Sequence, residues 1–164
     1  MKRNGKQRNP WPLDSLVIQA IELADAGKNR EAVPLLLRAA RAGNLSAQVT
    51  LGNHLAHGMG VRQSRERALY WYRRAAKRGD AAAASNAGCV YRDEGRIKLA
   101  LRWFEKAVAL GLDDAMLEIA KLCLGPLGDA KRAGRLLAKV LSSKEVAVFT
   151  QEEAVRLRKE FHLE

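Results

Sequence analysis

The sequence is poor in the residues that mark secreted, membrane-spanning or β-rich proteins. Of its 164 residues two are cysteines, four are prolines and 5% are aromatic, which disfavours a disulfide framework and a β-sandwich. Cys89 and Cys123 lie far apart in apolar segments, so we expect buried free thiols in a reducing compartment. No apolar run approaches the ~18 residues of a membrane span, and we find no secretory signal. We therefore predict a cytoplasmic protein without a transmembrane segment.

Alanine, leucine and positive charge are abundant instead. Alanine and leucine favour helices, and 29 lysines and arginines against 18 acidic residues give a net charge of +11. Such an excess attracts an acidic protein, nucleic acid or an anionic membrane, without choosing among them. Residues 1–12 are also basic, and we expect them to form a flexible arm. A membrane contact of this arm is one alternative, and it would use Lys2, Arg3, Lys6 and Arg8.

One apolar pattern recurs four times along the chain. Equivalent alanines follow each other after steps of 36, 32 and 33 residues, at Ala32, Ala68, Ala100 and Ala133. In the second segment the apolar residues have the i, i+3, i+4, i+7, i+8 spacing of a helix packed on one side, at Ala68, Trp71, Tyr72, Ala75 and Ala76. We therefore expect Trp71 and Tyr72 to lie in the core rather than to stack on bases.

Another helix is expected before each of the last three segments. These preceding helices carry a small residue at one matching place, which we interpret as a device for close packing: Gly52, Gly88 and Ala120. Helix N-caps are predicted from residue type and position, at Asn44, Ser64, Asp80, Asp113 and Asp129. A last helix is predicted from about Thr150 to about Phe161, with Thr150 and Glu153 as a capping box.

The second repeat resembles a known family. The positions that carry the resemblance in fixed register are Ala47, Leu51, Gly52, Gly58, Gly60, Val61, Ala68, Trp71, Tyr72, Ala75, Ala76, Gly79 and Ala83. This stretch is similar to a Sel-one-like repeat, a relative of the tetratricopeptide repeat. The resemblance implies an all-α fold, a right-handed α-solenoid of about four antiparallel helix pairs at residues 13–146. We expect a C-terminal capping helix at residues 147–164, as solenoid ends require.

In this family the first helix of each pair lines a concave groove, and most members are protein–protein interaction scaffolds. Some bacterial members are adaptors, chaperone-like factors or immunity proteins that neutralise a toxin. The residues that we expect in the groove are polar and carry both charges, which suits recognition of a protein better than recognition of RNA bases. They are Asn53, His54, His57, Cys89, Arg92, Asp93 and Lys121.

The second helices of such repeats form the outer, convex side, and one of them is strongly basic. We expect an electrostatic face at Arg65, Arg67, Arg73, Arg74, Lys77 and Arg78. Two interpretations stay open: a merely solvated face, or a surface that attracts a partner, for which an acidic protein is favoured. Nonspecific nucleic-acid binding by this face is the alternative function.

Several motifs that resemble chemical sites have simpler explanations. His54 and His57 lie three residues apart, but no third metal ligand has a suitable spacing. Gly58-Met59-Gly60 lacks the lysine and the strand of a phosphate-binding loop, so we expect a turn between paired helices. Asp113 and Asp114 begin a helix, where carboxylates compensate the helix dipole. We therefore predict a protein without catalytic activity, cofactor or metal, whose partner is an acidic toxin, effector or signalling protein.

Overall fold

The computed structural model describes residues 13–163, and the arm predicted at residues 1–12 lies outside the described residues. Over the described range the chain forms nine α-helices and no strand. They are α1 (Leu13–Asp25), α2 (Asn29–Arg41), α3 (Leu45–His57), α4 (Arg65–Ala76), α5 (Ala81–Asp93), α6 (Ile97–Ala109), α7 (Ala115–Leu124), α8 (Ala130–Ser142) and α9 (Val148–Glu160). The predicted all-α fold of helix pairs followed by one last helix is confirmed.

Two compact units make up the chain. The first ends at Ala68 and the second begins at Leu69, so the boundary falls within α4. In the first unit α2 packs against both α1 and α3. In the second unit the helices from α5 to α9 pack successively, each against the next. Packing between sequence neighbours is typical of repeat proteins, whereas the predicted domain limits of 13–146 and 147–164 stay a prediction.

The repeated apolar stripe lies in the core, as predicted. Trp71 and Tyr72 of α4 are buried, with 6% and 1% of their surfaces exposed. On α6 the ring of Phe104 is fully buried and rests against Gly88 of α5. A β-carbon at residue 88 would lie 2.7 Å from that ring, closer than two carbon atoms can pack. The interpretation of the small residue as a packing device is therefore confirmed at Gly88.

Side-chain caps begin four helices, as predicted. Asn44 and Asp80 each accept a hydrogen bond from the backbone amide three residues further on, at 2.8 Å and 2.7 Å. Asp129 and Ser64 accept the equivalent bonds at 2.9 Å and 3.3 Å. Each bond satisfies one of the first amides of a helix, which have no partner within the helix itself.

The predicted caps at Asp113 and Thr150 are wrong. The N-cap residue of α7 is Asp114, and its side chain makes no capping hydrogen bond. Helix α9 begins at Val148, two residues before Thr150. Instead, the Thr150 hydroxyl and the amide of Ala147 both donate to the Asp114 carboxylate. The Ser143 hydroxyl donates to Asp113 at 3.0 Å. Asp114 thus connects the start of α7 to the start of α9, and Asp113 connects it to the end of α8.

A hydrophobic cluster holds α9 in place. It contains Leu117 and Ala120 of α7, Leu137 and Val140 of α8, and Leu157 of α9, all of them buried. Full burial of one such large apolar side chain contributes about 1.5–3 kcal/mol. The attachment of α9 therefore depends on apolar packing as well as on the carboxylate contacts, while its role as the cap of a stack stays a prediction.

Candidate protein-interaction surface

Ion pairs connect three helices of the second unit: α5 and α7, which are the first helices of their pairs, and the last helix α9. Arg92 of α5 contacts Asp93 at 3.1 Å and also the carboxylate of Glu118 on α7. Lys121 of α7 lies 3.3 Å from Glu118 and 3.7 Å from Glu153 on α9. We call this group of side chains the first-helix surface: Cys89, Arg92, Asp93, Glu118, Lys121, Glu153 and Arg156.

Four of the predicted groove residues meet on this surface, namely Cys89, Arg92, Asp93 and Lys121. The sequence prediction omits Glu118, although this residue lies one helical turn before Lys121 and so shares its face of α7. It also assigns Glu153 to a capping box, which is wrong. Glu153 contacts Lys121 and, at 2.7 Å, Arg156.

Charge is balanced on the first-helix surface. Its three cations each contact at least one of its three carboxylates. Burial raises the pKa of the Cys89 thiol; the opposing effect of Arg92 is outweighed, because Glu118 and Asp93 also raise that pKa. The thiol is therefore neutral near pH 7. This surface presents ordered polar groups without a net charge, so shape and pairing would decide what binds there.

The remaining predicted groove residues belong to α3 in the first unit. His54 is only 3% exposed, and its Nδ1–H donates to the carbonyl oxygen of Met59 at 2.8 Å. The prediction that His54 contacts a partner is therefore wrong, because its ring is buried and fixes the turn after α3. His57 is exposed and Asn53 is half-buried, and their contribution to binding stays a prediction.

The second helices expose positive charge with few acidic neighbours. All six residues of the predicted electrostatic face lie on the surface: Arg65, Arg67, Arg73, Arg74, Lys77 and Arg78. On α6 and α8, further cations recur every four residues and so share one face of each helix. We call them the basic second-helix residues: Lys98, Arg102, Lys106, Lys131, Arg135 and Lys139. None of these six forms an ion pair with another residue in the described range.

Aromatic side chains near these cations are engaged within the protein. Trp103 of α6 stacks on Tyr91 of α5, with 6.4 Å between the ring centroids. Cations of the chain lie over both rings, Arg96 at 5.0 Å from Tyr91 and Lys106 at 5.0 Å from Trp103. Single-strand binders instead offer a row of free aromatic rings along a basic groove. The exposed aromatic residues in the range 13–163 are scattered, at Tyr70, Phe149 and Phe161.

Membrane-spanning and metal-binding features are absent from the part of the chain that the structure describes. Between residues 13 and 163, no helix combines the length and the apolar character needed to cross a bilayer. Over that range, no three or more His, Cys, Asp and Glu side chains are grouped so as to hold a metal ion. The two histidines that lie three residues apart in the sequence have different environments, because His54 is buried and His57 is exposed.

Known proteins share the helix-pair repeat. The Sel1 repeat family model matches residues 45–80 and 82–112, which correspond to α3 with α4 and to α5 with α6. No curated protein sequence matches the chain. Among solved structures, the chain is similar to a Sel1 repeat protein from Oxalobacter formigenes, with 28% sequence identity and a TM-score of 0.65 over 77% of this chain and 55% of that one.

Two other structures share the fold at lower identity. One is a protective antigen present in uropathogenic Escherichia coli strains, with 18% identity and a TM-score of 0.73 over 91% of this chain and 34% of that one. The other is an immunity protein from Pseudomonas aeruginosa, with 21% identity and a TM-score of 0.56 over 80% of this chain and 54% of that one. The chain thus spans at most 55% of the length of these three proteins. Two segments of this chain, residues 45–80 and 82–112, match the Sel1 repeat model.

Proposed function

We propose that this protein binds another protein and acts by covering part of that partner's surface, without chemistry of its own. Sel1 and tetratricopeptide-like repeat folds are typical of protein–protein interaction scaffolds. The observation that carries the proposal is the division of charge in the second unit. The first-helix surface is balanced by its own ion pairs, whereas the basic second-helix residues are unpaired. The first-helix surface is suited to contacts of complementary shape, and the basic second-helix residues are suited to electrostatic attraction of a partner.

Phe149 supplies an apolar anchor beside the first-helix surface. This residue is 74% exposed and shares one face of α9 with Glu153 and Arg156, because the three follow the i, i+4, i+7 spacing. A few aromatic or arginine anchors, surrounded by polar contacts that exclude water, provide most of the energy of typical interfaces. A partner that covers Phe149 would also contact the first-helix surface, whose ion pairs are already formed. Few side chains would then lose conformational entropy on binding.

The partner that we propose is an acidic toxin or effector, with this chain as its cytoplasmic immunity or adaptor protein. A net charge of +11 and the exposed cations of α4, α6 and α8 favour an acidic partner, since opposite potentials accelerate encounter. The similarity in fold to the Pseudomonas aeruginosa immunity protein supports a neutralising role as a hypothesis. Occlusion of the partner's active surface would require no catalytic residue in this chain.

Tagged capture from the host, with nuclease treatment and washes at low and high salt, tests this proposal. We expect one stoichiometric, acidic protein to stay bound in high salt, and to be toxic when it is expressed alone. Phe149→Asp should abolish its retention. The matched control, Arg102→Glu on α6, should slow association and leave retention in high salt intact. Full retention by Phe149→Asp would exclude the first-helix surface as the binding site.

Nucleic-acid binding is a second candidate function, favoured by the basic second-helix residues that lack acidic partners. Contacts to phosphates release counterions, so the affinity for duplex DNA would fall by orders of magnitude over a few-fold rise in salt. Replacement of Lys98, Arg102 and Arg135 by glutamine should then weaken binding and flatten the salt slope by about 1 for each phosphate that is no longer neutralised. Unchanged affinity in this triple variant would contradict binding by these helices.

A further inference from the structure

In the first unit, the turn after α3 and the start of α2 border an open cavity of about 340 Å³. Its lining residues are Arg30, Gly58, Gly60, Val61 and Arg62. This volume lies near the lower end of the range of about 300–1,000 Å³ that is common for small-molecule sites. None of the lining residues is acidic, so the positive charge at this cavity meets no carboxylate in its walls.

Two of the residues that line the cavity are arginines. Arg30 and Arg62 are both exposed, and neither side chain forms an ion pair with a residue in the range 13–163. A guanidinium offers several donors in a fixed plane, which matches the oxygen atoms of carboxylate and phosphate groups. Two lining arginines without an ion-pair partner in the range 13–163 therefore point to an anionic ligand.

Hydrogen bonds hold the turn that carries Arg62. The amides of Met59 and Ser64 and the side-chain amide of Gln63 donate to carbonyl groups of α3, at distances of 2.7–2.9 Å. In return, the buried His54 of α3 donates to the carbonyl oxygen of Met59 at 2.8 Å. These bonds leave the turn little freedom, so the position of the Arg62 backbone is set before any ligand binds.

Gly60 fixes the same turn against α2. Its φ of +69° lies in the left-handed region that favours glycine. A β-carbon at residue 60 would lie 2.3 Å to 2.6 Å from backbone atoms of Asn29 and Arg30, so no larger residue fits without a shift of the backbone. This approach places Arg62 beside the first turn of α2. That helix begins without a side-chain cap, and its amino end adds partial positive charge.

We propose that Arg30 and Arg62 bind a phosphate group in this cavity. A phosphate carries about −1.5 to −2 charges near pH 7, which compensates two guanidiniums, whereas one carboxylate would leave one of them uncompensated. Gly58 and Gly60 present bare backbone, so no side chain obstructs a ligand on that wall. The ligand is either free inorganic phosphate or a phosphate carried by a small organic molecule. This site is independent of the first-helix surface, which belongs to the second unit.

Titration of the ¹⁵N-labelled full chain with inorganic phosphate, at constant ionic strength and pH 7.5, tests the site. We expect saturable shifts of the amide resonances of Gly58 and Gly60. Arg62→Gln should weaken the affinity by about tenfold or more, since a hydrogen bond to a charged group contributes that much. The matched control is Arg41→Gln, an exposed arginine on α2 outside the cavity, which should change the affinity by less than about twofold. Thermal unfolding of each variant checks that the fold is retained.

Two other ligands complete the test. Acetate carries one charge, and equal affinity for acetate and phosphate would overturn the assignment to phosphate. Phenyl phosphate that binds more tightly than inorganic phosphate supports the site and indicates an organic phosphate. Tighter binding of inorganic phosphate than of phenyl phosphate supports the site and indicates that the ligand is the free ion. Shifts that do not saturate, or an equal loss of affinity in Arg41→Gln and Arg62→Gln, would show attraction by overall charge only and would overturn the proposal.

Discussion

Helices α5, α7 and α9 carry charges of both signs in mutual contact, whereas α6 and α8 expose cations with few acidic partners. Both sets of helices belong to the same compact unit. Their difference lies at positions outside the apolar stripe, which the repeat pattern leaves free to vary. The comparison teaches that the repeat determines the core, while the charges on the remaining positions create two surfaces with different binding chemistry.

Side-chain volume differs across the contact between α5 and α6. Helix α5 contributes Gly88, which is buried and has no side chain where it faces α6. Helix α6 contributes the bulky ring of Phe104, which packs against Gly88. Large and small residues that face each other allow two helices to interlock at native density. The stability of each hairpin therefore depends on both partners of such a contact.

Loss of the large partner should have the largest effect on stability. Phe104→Ala removes a fully buried ring, and Gly88 opposite has no side chain that could fill the space. We expect the free energy of unfolding, measured by urea denaturation, to fall by about 3–5 kcal/mol. Lys98→Ala, at an exposed position of α6, is the control and should change it by less than about 0.5 kcal/mol. A loss below about 1 kcal/mol for Phe104→Ala would mean that the helices close the gap.

Enlargement of the small partner should have the next largest effect. Gly88→Ala places a methyl group 2.7 Å from the buried Phe104 ring, so we expect a loss of about 1–3 kcal/mol in the free energy of unfolding despite the better helix propensity of alanine. Gly134→Ala on α8 is the matched control, because a β-carbon at residue 134 would have no neighbouring atom within 4 Å. That variant should gain up to about 1 kcal/mol. The same sign of change in both variants would refute the packing role of Gly88.

Features that depend on neighbours in sequence were predictable. The spacing of apolar residues predicts the burial of Trp71 and Tyr72, and the caps at Asn44 and Asp80 follow from residues three positions apart. A helix stripe and a cap are local arrangements, so the residue types needed to form them stand together in the chain. The family resemblance adds the pairing of the helices.

Features that depend on distant contacts were not predictable. Asp114 and Thr150 have the residue types of helix caps, yet they bond to each other across 36 positions. Glu118 completes the first-helix surface through Arg92, which lies 26 positions before it. His54 looks like an exposed polar residue until the backbone turn places Met59 against its ring. Periodicity shows which face of a helix is apolar, but it does not show which polar groups on separate helices meet.

Removal of one charge from the first-helix surface should have a moderate effect. Glu118 contacts both Arg92 and Lys121 and its side chain is 21% exposed, whereas Glu105 of the second helix α6 contacts Arg132 alone and is 45% exposed. Glu118→Gln should therefore lower the free energy of unfolding by about 1 kcal/mol, and Glu105→Gln by less than about 0.5 kcal/mol. Urea denaturation at low and high salt measures both losses. Equal losses would mean that the ion pairs of the first-helix surface stabilise the fold no more than the exposed Glu105–Arg132 pair does.

The smallest expected effect concerns the reactivity of Cys89 within the first-helix surface. Iodoacetamide reacts with the thiolate, so the raised pKa of Cys89 means that its alkylation rate keeps rising with pH beyond about 8.5, where the rate at an ordinary cysteine begins to level off. Because Arg92 lowers that pKa and Glu118 raises it, Arg92→Gln should slow alkylation at pH 8 and Glu118→Gln should accelerate it, each by about twofold. Peptide mass spectrometry gives the rate at each cysteine separately.

Cys123 is the internal control for this measurement. It is fully buried on α7, and the charged groups that influence its thiol are Arg132, Asp129 and Glu105 rather than the ion pairs around Cys89. Its alkylation rate should therefore be the same in both variants. Faster reaction of Cys123 in Glu118→Gln would mean that the helices open more often, and the change at Cys89 would then reflect unfolding. Opposite changes at Cys89 with a constant rate at Cys123 would instead show that the ion pairs act on the thiol through charge, as the balanced surface requires.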